Sequence, residues 1–451
     1  MSERQRAMDR MTTRERADEG TPNEVYVPDH GDPSFGVNHY DLVLSVALES
    51  NGLSGRATLT VEAIEDVDRL ELDLFGLRVS RVKVDGAPPA KWTQRRHRVV
   101  VRLRDSLTAG SRTTVEVTYA GSPRPMSGPD GEAGWEELED GLIVASQPHG
   151  APSWFPCNDR PDDKATYRLE VTAPNDYTVV ANGRAGDKRR RGSTTTWEYV
   201  ADAPMATYLA TLQIGRYVPI TDTAGDVEVT TWCPPARRET VAGAFADQTT
   251  MVERFAELFG PYPFDTYAAV VTDDELEIPL EAQTLSIFGS NLATREWSAQ
   301  RLVAHELAHQ WFGNSLTLRH WRDIWLHEGF ACYAEWLWSE LSGGPDADAH
   351  AREQHERLAG LKQDLQLGDP GPDDLFDDRV YKRGALTLHA LRRTVGDAVF
   401  FDVLRSWTAA HRHGTVTTEQ FLDHVSEATD VDGGVLLGPW LTDPALPNLP
   451  A

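Results

Sequence analysis

Between Tyr40 and Tyr217 apolar and polar residues alternate in short runs. YDLVLSVALE (40–49), GRATLTVEAI (55–64), RVVVRL (98–103), TTVEVTYAG (113–121), YRLEVTAP (167–174) and TYLATLQIGRY (207–217) all follow this rhythm. A period of two sends successive side chains to opposite faces of a strand. Turn pairs such as Asn51-Gly52 and Asp85-Gly86 stand between the runs. The pattern predicts a domain of antiparallel sheets, a saddle or sandwich, over residues 31–220. The basic run Lys188-Arg189-Arg190-Arg191 falls at a glycine-flanked turn and reads as a solvated hairpin tip. One stretch breaks the rhythm: SQPHGAPSWFPCNDRPDDKATY (146–167), rich in proline and aromatic residues, reads as a long ordered loop.

After the strand-like AAVVT (268–272) the period lengthens to that of helices. A helix is expected from Ser298, as N-cap, to Phe312, with Gly313 as its stop, and a second from about Ile324 to Leu341. Further helices are expected near 346–366, 383–394, 396–411 and 417–429, with Tyr381 just before one that starts near Gly384. The chain therefore reads as an α+β multidomain protein: a charged mobile leader (1–30), the β domain (31–220), a mostly helical domain (221–446) and a proline-rich tail (447–451).

Composition narrows the partners. A net charge of −26 over 451 residues argues against nucleic acid or an anionic membrane, both of which call for basic surfaces. No stretch reaches the length of a membrane span, and the first twenty residues are charged throughout with no apolar core of a signal peptide. Cys157, Cys233 and Cys332 are far apart and odd in number, so they are expected to be buried thiols in a cytoplasmic protein.

The chemistry concentrates in residues 301–340. His305, Glu306 and His309 form H-E-x-x-H, and Glu328 follows after eighteen residues. Positions i and i+4 share a helix face, so both imidazoles can grip one ion. Glu306 lies about 100° round the helix, better placed as a base than as a ligand. Two His and one Glu with an open position make a common catalytic zinc set. Two histidines on a solvated helix face are the alternative for the five residues alone; the later glutamate weighs against it. His320, His350 and His389 read as surface or core residues rather than a second metal site.

HELAHQWFGN followed by WLHEGFACYAEW resembles the gluzincin aminopeptidases, the group that includes aminopeptidase N and leukotriene hydrolase. FPCNDRPDDKATY (155–167), GPYPFDTY (260–267), IPLEAQT (278–284) and VYKRGA (380–385) resemble four more family segments, in the right order from about residue 35 to 447. The last two stand for the exopeptidase segment G-x-M-E-N and the tyrosine segment V-Y-x-K-G-A. The resemblance implies an N-terminal β saddle and a thermolysin-like domain with one zinc ion on His305, His309 and Glu328. It implies Glu306 as general base and acid toward a metal-activated water, and Tyr381 as donor to the oxyanion. It also implies Glu281 as the anion that binds the free α-ammonium of a peptide, assisted by Gln147.

The sequence departs from the family in three places. Ile278 and Ala282 replace the usual Gly and Asn, and His327 stands before Glu328 where Asn is usual. No helical domain follows to cover the cleft, as in many relatives, so a more open site is expected. The reading is a zinc aminopeptidase acting on peptides with a free N-terminus. A relaxed peptidase or endopeptidase, or a non-catalytic scaffold, are the alternatives.

Overall fold

The alternation in the sequence becomes the pleat of a large sheet. In a computed structural model of the protein, which describes residues 25–129 and 131–450, strand Phe35–Ala47 buries Val37, Tyr40, Leu42, Leu44 and Val46. A bulge between Val37 and His39 shifts the phase, which is why Val37 and Tyr40 share a face three residues apart. Seven strands form this sheet, in the order Arg184–Arg191, Thr194–Met205, Ala165–Pro174, Phe35–Ala47, Gly52–Ala63, Arg112–Gly121 and Arg78–Val84. Neighbours are antiparallel as expected, with one exception. Phe35–Ala47 runs parallel to Ala165–Pro174, with Tyr40 opposite Tyr167, and the intervening residues 48–164 supply the long crossover that parallel pairing requires.

Two five-stranded sheets and a three-stranded sheet complete a strand unit made of residues 29–245 and 264–294. The unit includes a short helix, α1 (Arg238–Ala244). The basic run Lys188–Arg191 lies on the exposed edge strand, one residue before the turn at Gly192, rather than at the tip itself. Lys188 Nζ sits 3.6 Å over the Trp197 ring, and Arg189 pairs with Glu170 at 2.8 Å. Charge on an edge strand discourages pairing with other chains.

Residues 146–164 are an interior strut more than a surface loop. Trp154, Phe155 and Cys157 are wholly buried. Phe155 meets Tyr40 edge-on at 5.5 Å, and Tyr40 stacks on Tyr167 at 4.9 Å. The Asn158 amide donates to the carbonyls of Asp32 and Phe35 and to Asp163, while its oxygen accepts from Asp32 N at 2.7 Å. A buried amide satisfied on both sides holds its loop in one conformation.

The helical unit comprises residues 246–263 and 295–450, with residues 25–28. Its helices are α2 (Gln248–Phe259), α3 (Trp297–Ala308), α4 (Trp325–Leu341), α5 (Ala347–Ala359), α6 (Asp378–Val395), α7 (Asp397–Ala410), α8 (Thr418–Ala428) and α9 (Gly433–Thr442). Every residue of α4 from Trp325 to Ser339 is buried, which marks it as the central helix. Helix α6 crosses it at two glycines. A Cβ on Gly384 would fall 2.6 Å from the Gly329 Cα, so neither position admits a side chain.

Several expected boundaries shift. Glu296, not Ser298, is the N-cap of α3, and the helix ends at Ala308 because Gln310 N and Trp311 N bond back three residues in a tightened turn. Helix α6 starts at Asp378, six residues before Gly384, because the Asp377 carboxylate accepts from Arg379 N and caps it. Tyr381 therefore lies inside the helix. The leader is ordered from residue 25: Tyr26 and Val27 are buried, and the Tyr26 hydroxyl donates to Asp369 at 2.6 Å and accepts from Gly371 N. Residues 1–24 of the expected leader lie outside the described residues. Among the described residues no helix is long and apolar enough to cross a membrane.

Candidate metal centre

His305 lies in the last turn of α3, and His309, its C-cap, keeps helical dihedrals, so the i, i+4 relation survives the helix end. Glu328 lies in the first turn of α4. All three are buried. Glu328 Oε2 is 3.3 Å from His305 Nε2 and 3.4 Å from His309 Nε2, and the three ligand atoms lie within 4.8 Å of one another.

The far side of each imidazole decides what the near side can do. His309 Nδ1 lies 3.0 Å from the Phe312 carbonyl, and His305 Nδ1 lies 2.9 Å from Glu335 Oε1. Both partners accept hydrogen bonds, so both Nδ1 atoms carry a hydrogen, and the Nε2 of each ring, on the Glu328 side, is the atom left to bind a cation once it gives up its own proton. Two imidazole lone pairs and a carboxylate converging on one point fit zinc, and the backing of each histidine is the arrangement metal ligands need.

The electrostatics agree. Burial alone would lower the His305 pKa, yet Glu328 and Glu335 outweigh it and push it up to about 9. Burial would likewise raise Glu328, but His309 and His305 hold it far below the usual carboxylate range. Glu335 is held down to about 2 against burial, first by Lys382 and then by His305 and Arg301. A divalent cation bound here would take the place of the imidazole protons that answer Glu328.

Glu306 is buried beside His305 on α3. The Tyr381 ring stacks on the His305 ring at 5.8 Å, with 23° between planes. The Gly329–Gly384 contact explains this proximity: it presses α6 onto α4 one residue after Glu328 and three after Tyr381. The helical unit thus gathers His305, His309, Glu328 and Tyr381.

Glu281 and Gln147 belong to the strand unit, where they meet each other. Gln147 Nε2 donates to Glu281 Oε1 at 2.6 Å. Glu281 is buried on strand Leu280–Ala282, paired through Ser286 to Leu285–Phe288. Ile278 is 60% exposed, whereas Ala282 is buried.

His327 accepts from Leu318 N through Nε2 at 2.8 Å, so it ties down the chain between α3 and α4. His389 lies between Tyr333 and Asp348, and His350 stacks on Trp297 and Trp336. The sequence alone assigns no role to Glu335, Arg301 or Lys382. The signal for Glu335 was present: seven residues after Glu328, it returns to the same helix face.

The Peptidase family M1 domain matches residues 244–440, and the Peptidase M1 N-terminal domain matches residues 37–209. The crystal structure of the M1 zinc metallopeptidase from Deinococcus radiodurans is 32% identical, with a TM-score of 0.88 over 96% of this chain and 100% of that one. A mutant of that protein has also been solved with a Tyr-Ser-Ala substrate. The leucyl aminopeptidase of Saccharolobus solfataricus is 24% identical over 445 residues, 91% of this chain and 54% of that protein. Aminopeptidase N of Lactococcus lactis is 28% identical over 329 residues, covering 67% and 39%. The chain spans about half the length of the first curated relatives it matches.

Proposed function

Since the chain belongs to the M1 family of zinc metallopeptidases, we propose that it is an aminopeptidase that hydrolyses the first bond of peptides with a free N-terminus. The convergence of His305 Nε2, His309 Nε2 and Glu328 Oε2, with both Nδ1 atoms engaged behind, carries this reading. A zinc ion held there supplies Lewis acidity, which polarises the scissile carbonyl and makes water nucleophilic near neutral pH.

The remaining work falls to side chains of this protein. Glu306, on the adjacent helix position, takes a proton from the attacking water and returns it to the departing amine. Tyr381 donates its phenol hydrogen to the carbonyl oxygen as negative charge develops there, an interaction stronger in the transition state than before it. Glu281, its Oε1 held by Gln147, binds the α-ammonium of the substrate and so sets the cut one residue from the free end. A mutant of the Deinococcus relative was solved with a peptide substrate, Tyr-Ser-Ala, which supports peptides as the substrate class. The catalytic role is assigned to residues 221–446. The three buried, unpaired cysteines support a reducing, cytoplasmic setting.

The test compares aminoacyl amides bearing a free amine with their N-acetylated counterparts, with and without a chelator. Chelator-sensitive cleavage of the free amines alone is expected. Equal cleavage of both would replace the assignment with a peptidase of relaxed specificity, the reading that exposed Ile278, in place of the family glycine, favours.

A further inference from the structure

Three helices of the helical unit meet on one carboxylate. Glu335, on α4, divides its oxygens: Oε1 lies 2.9 Å from His305 Nδ1 on α3, while Oε2 faces two cations. One is Arg301 of α3, at 3.1 Å; the other is Lys382 of α6, at 3.8 Å. Lys382 Nζ is also 3.2 Å from the Cys332 thiol, one turn before Glu335 on α4. The Arg301 side chain is 37% exposed, whereas that of Lys382 is 14% and that of Glu335 only 4%. Lys382 fills the open position of the tyrosine segment, next to Tyr381.

We propose that Lys382 is a positioning residue of the metal centre: it fixes the Glu335 carboxylate, and the carboxylate aims the His305 imidazole. The proposal rests on the zinc reading given above. The last torsion of a glutamate is soft, so an unanchored carboxylate can turn either oxygen toward His305 or away from it. With Oε2 engaged by cations from two helices, Oε1 stays at Nδ1, and Nε2 stays aimed at His309 and Glu328. The Cys332 contact holds the ammonium at the correct level of α4. Arg301, more exposed and arriving from the helix that carries His305 itself, cannot tie α6 into this arrangement.

A simpler role makes the opposite prediction. If Lys382 only neutralised a buried acid, its positive charge would repel a cation at His305, and removing it would tighten zinc binding. Zinc affinity therefore separates the two roles. It is measured by competition with a chromophoric chelator for the wild type, Lys382→Met and Lys382→Arg, with circular dichroism as the check on folding. Zinc binding is expected to weaken about 10-fold in Lys382→Met, the lower end of the effect of losing an outer partner of a metal ligand. Lys382→Arg, which keeps a cation within reach of Oε2, is expected to stay within about threefold of wild type. Unchanged or tighter binding in folded Lys382→Met overturns the proposal, as does an arginine variant as weak as the methionine one. Lys382→Gln is read by the same criteria should the methionine variant not fold. A wild type that binds no zinc fails differently, removing the zinc reading and this proposal together.

Discussion

Each unit of the protein buries a cluster of charge, and the two clusters are answered in different ways. In the strand unit, Asp73 accepts from the backbone N–H groups of Gly31 and Asp159 and pairs with Arg98, while Asp163 accepts from Val37 N and Asn158. His30 and Thr207 both reach Asp159. In the helical unit, Glu328 and Glu335 are answered by imidazoles, an ammonium and a guanidinium. The consequences diverge. Burial pushes Asp73 up to about 6 and Asp163 up to about 7, whereas cations hold Glu335 down to about 2. In the strand unit the donors pin chain segments without offsetting burial, so the acid stays near its proton. Side chains converging on one point build a seat for a cation.

The comparison breaks most decisively at Glu306. If the helical cluster were a structural staple like its counterpart, Glu306→Ala would cost stability and leave no catalytic mark. The expected result is the reverse: fold and bound zinc persist, and kcat falls about 10²–10⁴-fold, the range for loss of a general base. Steady-state kinetics alongside metal analysis decides the point. Near-normal turnover would remove the assignment.

Tyr381→Phe sharpens the contrast next. Its ring keeps the stack on His305, so only the hydroxyl is lost. A fall of about 10²–10³-fold in kcat, with little change in KM, is expected for a donor that acts in the transition state. An effect confined to KM would make Tyr381 a binding residue.

Much of this division was legible in the sequence, because helix and strand periods are local. His305 and His309 four apart, Glu328 on a second helix and the alternating runs needed no knowledge of the fold. What escaped depends on distant partners. Gly384 reads as a helix start because glycine is a poor interior residue, yet it lies within α6 to admit Gly329. The stretch 146–167 reads as a long ordered loop, but nothing local shows what orders it: Asn158 is satisfied by Asp32 and Phe35, more than a hundred residues earlier. A lysine and a glutamate on separate helices carry no local sign that they share a site, so Lys382 and Glu335 were invisible as a pair.

Glu281→Ala asks whether the strand unit holds chemistry besides its staple. Loss of a charge-assisted bond to the substrate amine is expected to lower kcat/KM for free-amine substrates about 10–100-fold, with N-acetylated analogues unaffected. The measured quantity is the ratio between the two substrate classes. A preserved ratio would take Glu281 out of amine recognition and leave the strand unit with a structural role alone.

The smallest effect tests the staple itself. Asp163 titrates near 7 in the folded chain, above its ordinary value of 3.8, with burial as the first cause. Between those values the folded protein holds a proton that the unfolded chain releases. This contribution to stability is therefore fully present below about pH 4 and is lost as pH rises through about 7. His30, raised by Asp159 against its own burial, acts in the same direction. Asp163→Asn removes the titration and also turns an amide toward the Asn158 donor, so the variant is less stable at every pH. Its gap to wild type is nevertheless expected to narrow by about 2–3 kcal/mol between pH 5 and pH 8. Hydrogen exchange of the segment 35–47 in graded urea reads this locally, because Val37 N bonds to Asp163. A gap that stays constant or widens would mean that Asp163 is ionised throughout. The two clusters would then differ in their partners but not in their protons.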